Sequence, residues 1–198
     1  MKLAFVGPAH GKLDSLRARV ERSLFEWGCD RVFYLGSDDA LDQAVVGWAE
    51  RLGAPRDDAA FLDEVAALAP DGSPEVLDAL LERDARRRRL ADLAGVSNRH
   101  VEMIEDRLLV VTSDATAPDE DDLTNASILV QGRISRPELR LVGARAMLMP
   151  GDLARHGHVG VVEQVPQGVR VALHDADGGV VREVVVSLRR GARMEVRA

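Results

Sequence analysis

Apolar positions recur along this chain with two different periods, and the change from one to the other divides it. Leu3-Ala-Phe-Val6 is a short, nearly continuous apolar run halted by Gly7-Pro8, the pattern of a strand buried on both faces. Leu13, Leu16, Val20, Leu24 and Trp27 then return at spacings of three and four with charged residues between them, which predicts an amphipathic helix closed by Gly28. Arg31-Val-Phe-Tyr-Leu-Gly36 reads as a second buried strand. Strand, helix and strand in this order make a βαβ unit with a parallel pair. Chemistry in such a unit sits on the loops that follow the strands, here Gly7 to Gly11 and Gly36 to Asp39.

From Ala40 to about Gly95 the period is helical. One segment carries Leu41, Val45, Val46, Trp48 and Leu52, and the next Phe61, Leu62, Val65 and Leu68. A third starts at Ser73, a good N-cap, with Pro74 in the first helical position before Val76, Leu77, Leu80 and Leu81. Its end carries Arg86, Arg87, Arg88 and Arg89, which circle a helix instead of forming a stripe. With Glu82, Asp84 and Asp92 nearby they read as a solvated, salt-bridged surface, a partner-facing basic patch being the alternative. After about Asn98 the period shortens to that of strands at 101–104, 108–112, 128–132, 139–142, 146–149, 158–165, 169–174 and 180–188. Asp177-Gly178-Gly179 is a hairpin signal, and the last third is expected to be an antiparallel meander. Pro118 to Asp122 reads as an acidic, solvated turn, without the glycine and spacing of a calcium loop. No internal repeat or linker interrupts the chain, so residues 1–198 are expected to be a single domain.

Composition narrows the function classes. The chain has 198 residues, of which 46% are hydrophobic and 30% charged, with a net charge of -7. A chain of this length buries roughly 70% of its extended surface, enough for a core that needs no staples. Its one cysteine, Cys29, rules out an internal disulfide framework and a thiolate-rich zinc site, and reads as a small core residue. The acidic balance argues against nucleic acid as a partner, because phosphate-backbone binding needs a basic face. No apolar run approaches the roughly 20 residues that cross a bilayer, and Met1 to Val6 is strand-like and not a basic-then-apolar leader, so a cytoplasmic location is expected and no membrane partner.

The residues then point to a family. The strand ending in Gly7-Pro8-Ala9-His10-Gly11, the helix after it, Arg31 to Gly36, Ile128-Leu-Val-Gln-Gly-Arg-Ile-Ser135, and the Ala146-Met-Leu-Met-Pro-Gly151 turn together resemble the calcineurin-like metallophosphoesterases. Within that superfamily the chain looks most like the small bacterial phosphodiesterase branch that also contains the retromer scaffold subunit. The resemblance implies an α/β fold, a four-layer α/β/β/α sandwich of two mixed sheets, here with an extra helical insertion over about 55–93. The family's chemistry uses two divalent metals that clamp a phosphate and supply a metal-bound hydroxide.

Position by position, the metal ligands are mostly missing. Where the family has Asp-x-His this chain has Pro8-Ala9-His10, and where it has Gly-Asp the chain has Gly36-Ser37, with Asp38 shifted by one residue. Of Gly-Asn-His only Asn98 and His100 remain, Ser113 stands at the isolated histidine, and Gly-His-x-His reads Gly132-Arg133-Ile134-Ser135. A divalent ion needs at least three convergent donors, and a guanidinium at Arg133 repels one. The expectation is therefore a catalytically inactive fold with His10, Asn98 and His100 as remnants and no cofactor. It would work as a protein-binding scaffold through the insertion, with Phe61, Leu62, Leu68 and Arg86 to Arg89 as contacts. Two alternatives stay open: a rebuilt phosphodiesterase site of His10, Asp38 or Asp39, His100 and Asp114 around one divalent metal such as manganese, and a sensor that binds a small anion or nucleotide at Ser37, Ser113, Arg133 and Ser135. His156-Gly157-His158 is half of a His-x-His clip at most and reads as a turn with solvent-facing histidines. No Ser-His-Asp order, nucleophile elbow or P-loop offers a substitute chemistry.

Overall fold

A computed structural model describes residues 1–52, 58–68, 72–89, 92–133 and 136–187. β1 (Lys2–Val6) and β2 (Arg31–Tyr34) pair in parallel, with Phe5 beside Phe33, and α1 (Leu13–Glu21) makes the crossover. The helix continues as one π-helical turn, Arg22–Glu26, and Gly28 turns the chain at φ +63°. α2 (Ala40–Leu52), α3 (Asp58–Leu68) and α4 (Pro74–Arg89) follow, where the helical period predicts them. The edges of the 55–93 segment at 55–57, 69–71 and 90–91 lie outside the described residues.

Two sheets form the centre. The first has six strands in the order β11-β10-β9-β1-β2-β3, where β3 is Leu93–Gly95, β9 Val159–Val165, β10 Gly168–His174 and β11 Val180–Ser187. The second has five, in the order β4-β5-β6-β8-β7, with β4 Arg99–Ile104, β5 Arg107–Thr112, β6 Ile128–Gln131, β7 Glu138–Val142 and β8 Arg145–Met149. Leu3, Phe5, Phe33, Leu109, Val111, Ile128, Val130, Leu148, Val162 and Val171 pack between the sheets. Leu16, Val20, Leu24, Ala44 and Trp48 cover the outer face of the first sheet at Ala4, Val6, Val32 and Tyr34. On the second sheet's outer face Val110 and Leu129 pack with Ala126, at the end of α5 (Glu120–Asn125). The order of layers is α/β/β/α.

Three sequence expectations need correction. The strands after Asn98 are not one antiparallel meander: β9, β10 and β11 form one, and β4-β5 and β7-β8 are antiparallel pairs, but β5 pairs with β6 and β6 with β8 in parallel. The reason is burial on both faces, complete along β6 and nearly so along β5, which is the habit of parallel strands with crossovers. The acidic turn is the start of α5, where Asp119 accepts from the Asp122 amide at 2.7 Å and Asp122 accepts from the Asp119 amide at 3.2 Å, a capping box. The His156-Gly157-His158 pair is half-buried, with His156 closing α6 (Leu153–His156) and His158 Nδ1 3.0 Å from the His156 carbonyl.

Candidate functional site

The C-terminal ends of β1, β2 and β3 in one sheet meet those of β5, β6 and β8 in the other, and the loops after them form the candidate site. Direct backbone contacts lock these loops. The Leu35 carbonyl accepts from the Asp114 amide at 2.8 Å, the Ser37 amide donates to Asp114 Oδ1 at 2.8 Å, and the Pro8 carbonyl accepts from the Leu153 amide at 3.0 Å. The approach is close enough to demand glycine at Gly132, where a Cβ would fall 2.7 Å from both the Asp114 nitrogen and the Leu35 oxygen.

At the end of β1, His10 takes a left-handed conformation, φ +46°, and keeps 58% of its side chain exposed. Its Nε2 lies 3.5 Å from Oδ2 of Asp152, a nearly buried carboxylate that also meets Arg155 Nε at 3.3 Å. Asp152 was overlooked in the sequence as a partner for His10; its place directly after Pro150-Gly151 was the available signal. At the end of β2, the Tyr34 hydroxyl accepts from the Ala9 amide at 2.9 Å and donates to Asp38 Oδ1 at 2.5 Å. Burial, and then the bond to Asp38, push the Tyr34 phenol far above its ordinary range, so it stays a donor. Tyr34 thus ties the β1 loop to Asp38.

The other expected residues are placed as follows. Ser37 is exposed, and its neighbour across the site is Asp114, whose carboxylate accepts the Ser37 amide. Ser113 is fully buried; its hydroxyl donates to the Ser97 carbonyl at 3.2 Å and lies 3.2 Å from the Thr116 hydroxyl, which reaches Asn98 Oδ1 at 3.4 Å. Arg133 is exposed, and Ser135 lies outside the described residues. His100 stands apart on β4, its ring 4.7 Å from that of Phe33 and its Nε2 3.0 Å from Glu102. His10, Asp38, His100 and Asp114 therefore each have a different partner: Asp152, Tyr34, Glu102 and Ser37. Among the described residues no three His, Cys, Asp or Glu side chains come together to hold a metal ion. A dinuclear centre does not fit the donors at these loop ends, with Pro8 offering no side-chain donor and the Asp38 and Asp114 carboxylates hydrogen-bonded within the protein.

On the helical segment, Leu62 is 64% exposed, with Val76, Leu77 and Leu81 also exposed and Phe61 and Leu68 half-buried. Asp84, 4% exposed, accepts from Arg87 Nε at 2.9 Å and Arg88 Nε at 2.6 Å, and both arginines also meet Asp58. Arg89 donates to the Cys29 carbonyl at 2.6 Å and pairs with Asp92, while Arg86 is exposed. No helix among the described residues is long and apolar enough to cross a membrane.

No family model matches the chain, and no curated protein is similar to it in sequence. Solved structures are similar in fold. A conserved uncharacterised protein of Streptococcus pneumoniae, described as a predicted phosphoesterase, is 16% identical and superposes with a TM-score of 0.51 over 92% of this chain and 96% of its own. An archaeal phosphodiesterase is 12% identical, TM-score 0.50, over 87% and 99%. Vacuolar Protein Sorting 29 from Cryptosporidium parvum is 10% identical, TM-score 0.53, over 93% and 97%.

Proposed function

We propose that this chain, which has the calcineurin-like metallophosphoesterase fold, is a catalytically inactive version of it that works as a protein-binding scaffold. The observation that carries this reading is the site's donor set: at the loop ends where the family's metals are expected, Asp38, Asp114 and Ser113 are hydrogen-bonded to Tyr34, Ser37 and Ser97. A fold kept without its chemistry is kept for its surface. The surface we assign is the exposed apolar set Leu62, Val76, Leu77 and Leu81 on α3 and α4, beside Phe61, Leu68 and the arginines 86–89.

Two measurements test this. Metal analysis of the purified protein, with a phosphodiester hydrolysis assay in manganese, is expected to find neither stoichiometric metal nor turnover. Turnover abolished by His10→Ala would sink the scaffold reading and favour the one-metal alternative. Leu77→Asp combined with Leu81→Asp is expected to remove partner capture with the melting temperature unchanged; capture equal to that of the unaltered protein would move the binding surface elsewhere.

A further inference from the structure

α3 carries apolar side chains at eight of its eleven positions, yet none of its residues is fully buried. A helix that is apolar round most of its circumference is normally covered on more than one side. Leu62 on α3 is 64% exposed, and Leu77 and Leu81 on the neighbouring α4 are 38% and 47% exposed.

The ion pairs at one end of these helices show how they face each other. Asp58, the first residue of α3, accepts from Arg87 at 2.8 Å and from Arg88 at 3.4 Å at the end of α4. The two helices therefore run antiparallel, and Asp58 and Arg88 mark the flanks turned towards each other. Helix positions three, four, seven, eight or eleven apart share a flank. Leu62 and Ala66 follow Asp58 by four and eight residues, while Ala85, Leu81 and Leu77 precede Arg88 by three, seven and eleven. The exposed leucines thus line a groove between α3 and α4, with exposed alanines small enough for a third helix to come close. Leu80 and Phe61, each one position before a groove leucine, lie deeper, the first fully buried and the second half-buried. Asp63, Asp78 and Glu82, each one position after, are exposed and stand on the outer rim.

The rim is negative on both sides. Among the described residues Asp63, Asp78 and Glu82 have no ion-pair partner, whereas Arg87 and Arg88 are held by Asp84 and Asp58 and Arg89 by Asp92. Arg86, one turn beyond Glu82, offsets one of the three charges and leaves the rim acidic. A second copy laid face to face on this groove would bring carboxylates against carboxylates, which disfavours it. Leucines along a groove between carboxylate rims fit a helix whose apolar stripe is bordered by lysines or arginines.

We propose that the groove between α3 and α4 binds a basic amphipathic helix of a partner protein. The inference rests on the scaffold reading and gives the partner its chemistry.

Fluorescence anisotropy with the full-length protein tests it, using labelled peptides of about 18 residues. One carries leucines on a single helix face and lysines elsewhere, the second replaces the lysines by glutamates, and the third scrambles the leucine-lysine sequence. The first is expected to bind with a Kd of about 10 µM, at least about tenfold more tightly than the other two. Asp78→Lys combined with Glu82→Lys changes only exposed side chains; it is expected to weaken the lysine peptide about tenfold and strengthen the glutamate peptide. No binding of the lysine peptide at about 100 µM, equal binding of the scrambled or glutamate peptide, or binding unaffected by the charge reversal would each overturn the proposal. So would a dimer in sedimentation that Leu77→Asp with Leu81→Asp dissolves, which would assign the groove to a second copy. Peptide failure together with partner capture that the same two aspartates abolish would leave the scaffold reading standing with a partner of different chemistry.

Discussion

Tyr34 shows how one hydroxyl joins parts of the chain that the sequence keeps far apart. It accepts the buried Ala9 amide and donates to Asp38, so Tyr34→Phe leaves one buried donor unsatisfied. The expected loss is about 1–3 kcal/mol, read as a lower urea midpoint at unchanged slope. The fold holds the neutral phenol, so this contribution is complete below the ordinary pKa of 10.0 and declines as the pH rises beyond it; a stability series from pH 9 to 12 should separate the variant from the parent only at the lower end. Cys29 follows the same sign. Burial pushes its thiol from 9.0 up to about 11, and the side chain is wholly inaccessible. A thiol reagent at pH 8 is expected to leave the native protein unlabelled and to label it fully in denaturant. At Gly132 the contact is steric: Gly132→Ala is expected to cost about 1–3 kcal/mol, because the added carbon meets backbone on two sides and neither can rotate away.

Among the elements, the short α5 depends on its cap. Asp119→Ala removes the acceptor for the Asp122 amide and should cost about 1 kcal/mol, measured by thermal or urea unfolding. Asp84 holds the end of α4. Burial would raise its pKa, but hydrogen bonds from Arg88 and Arg87 outweigh that and lower it. The stability it gives is therefore complete above about pH 4 and lost as the pH falls through the lowered pKa, so Asp84→Asn should flatten the acid limb of the stability profile. The helical elements were legible because their period and caps are local: Ser73-Pro74 and Gly28 stand where the helix start and the turn occur. β3 was not legible, since Leu93-Ala-Gly95 is too short to show a period and becomes a strand only by pairing with β2. The parallel character of β5 and β6 was present in their unbroken apolar runs, but period-two alternation elsewhere masked it. The capping box of α5 was also readable, as Asp119 and Asp122 three residues apart, and was obscured by the acidic run around it.

For the whole molecule, the proposed inactive scaffold predicts indifference to metal. Chelation by EDTA, or addition of about 1 mM manganese, should move the melting temperature by less than about 1 °C, because a site with a useful affinity would stabilise the native state by mass action. A larger shift would identify a bound ion and reopen the hydrolase reading. The sequence by itself determined the opening βαβ unit, the three helices after it, the positions of most of the later strands, and which atoms Pro8, Ser37 and Gly132-Arg133 bring to the loop ends. These depend on periodicity, on local turn chemistry and on what atoms a residue contains. Only the tertiary structure decided what the remaining polar groups do: that Asp38 answers to Tyr34, Asp114 to Ser37 and His10 to Asp152, and that His100 leaves the loop cluster to lie on Phe33 between the sheet edges. Those pairings join residues brought together by strand register and sheet packing, and a side chain's partner across two sheets is set by distances that no local pattern encodes.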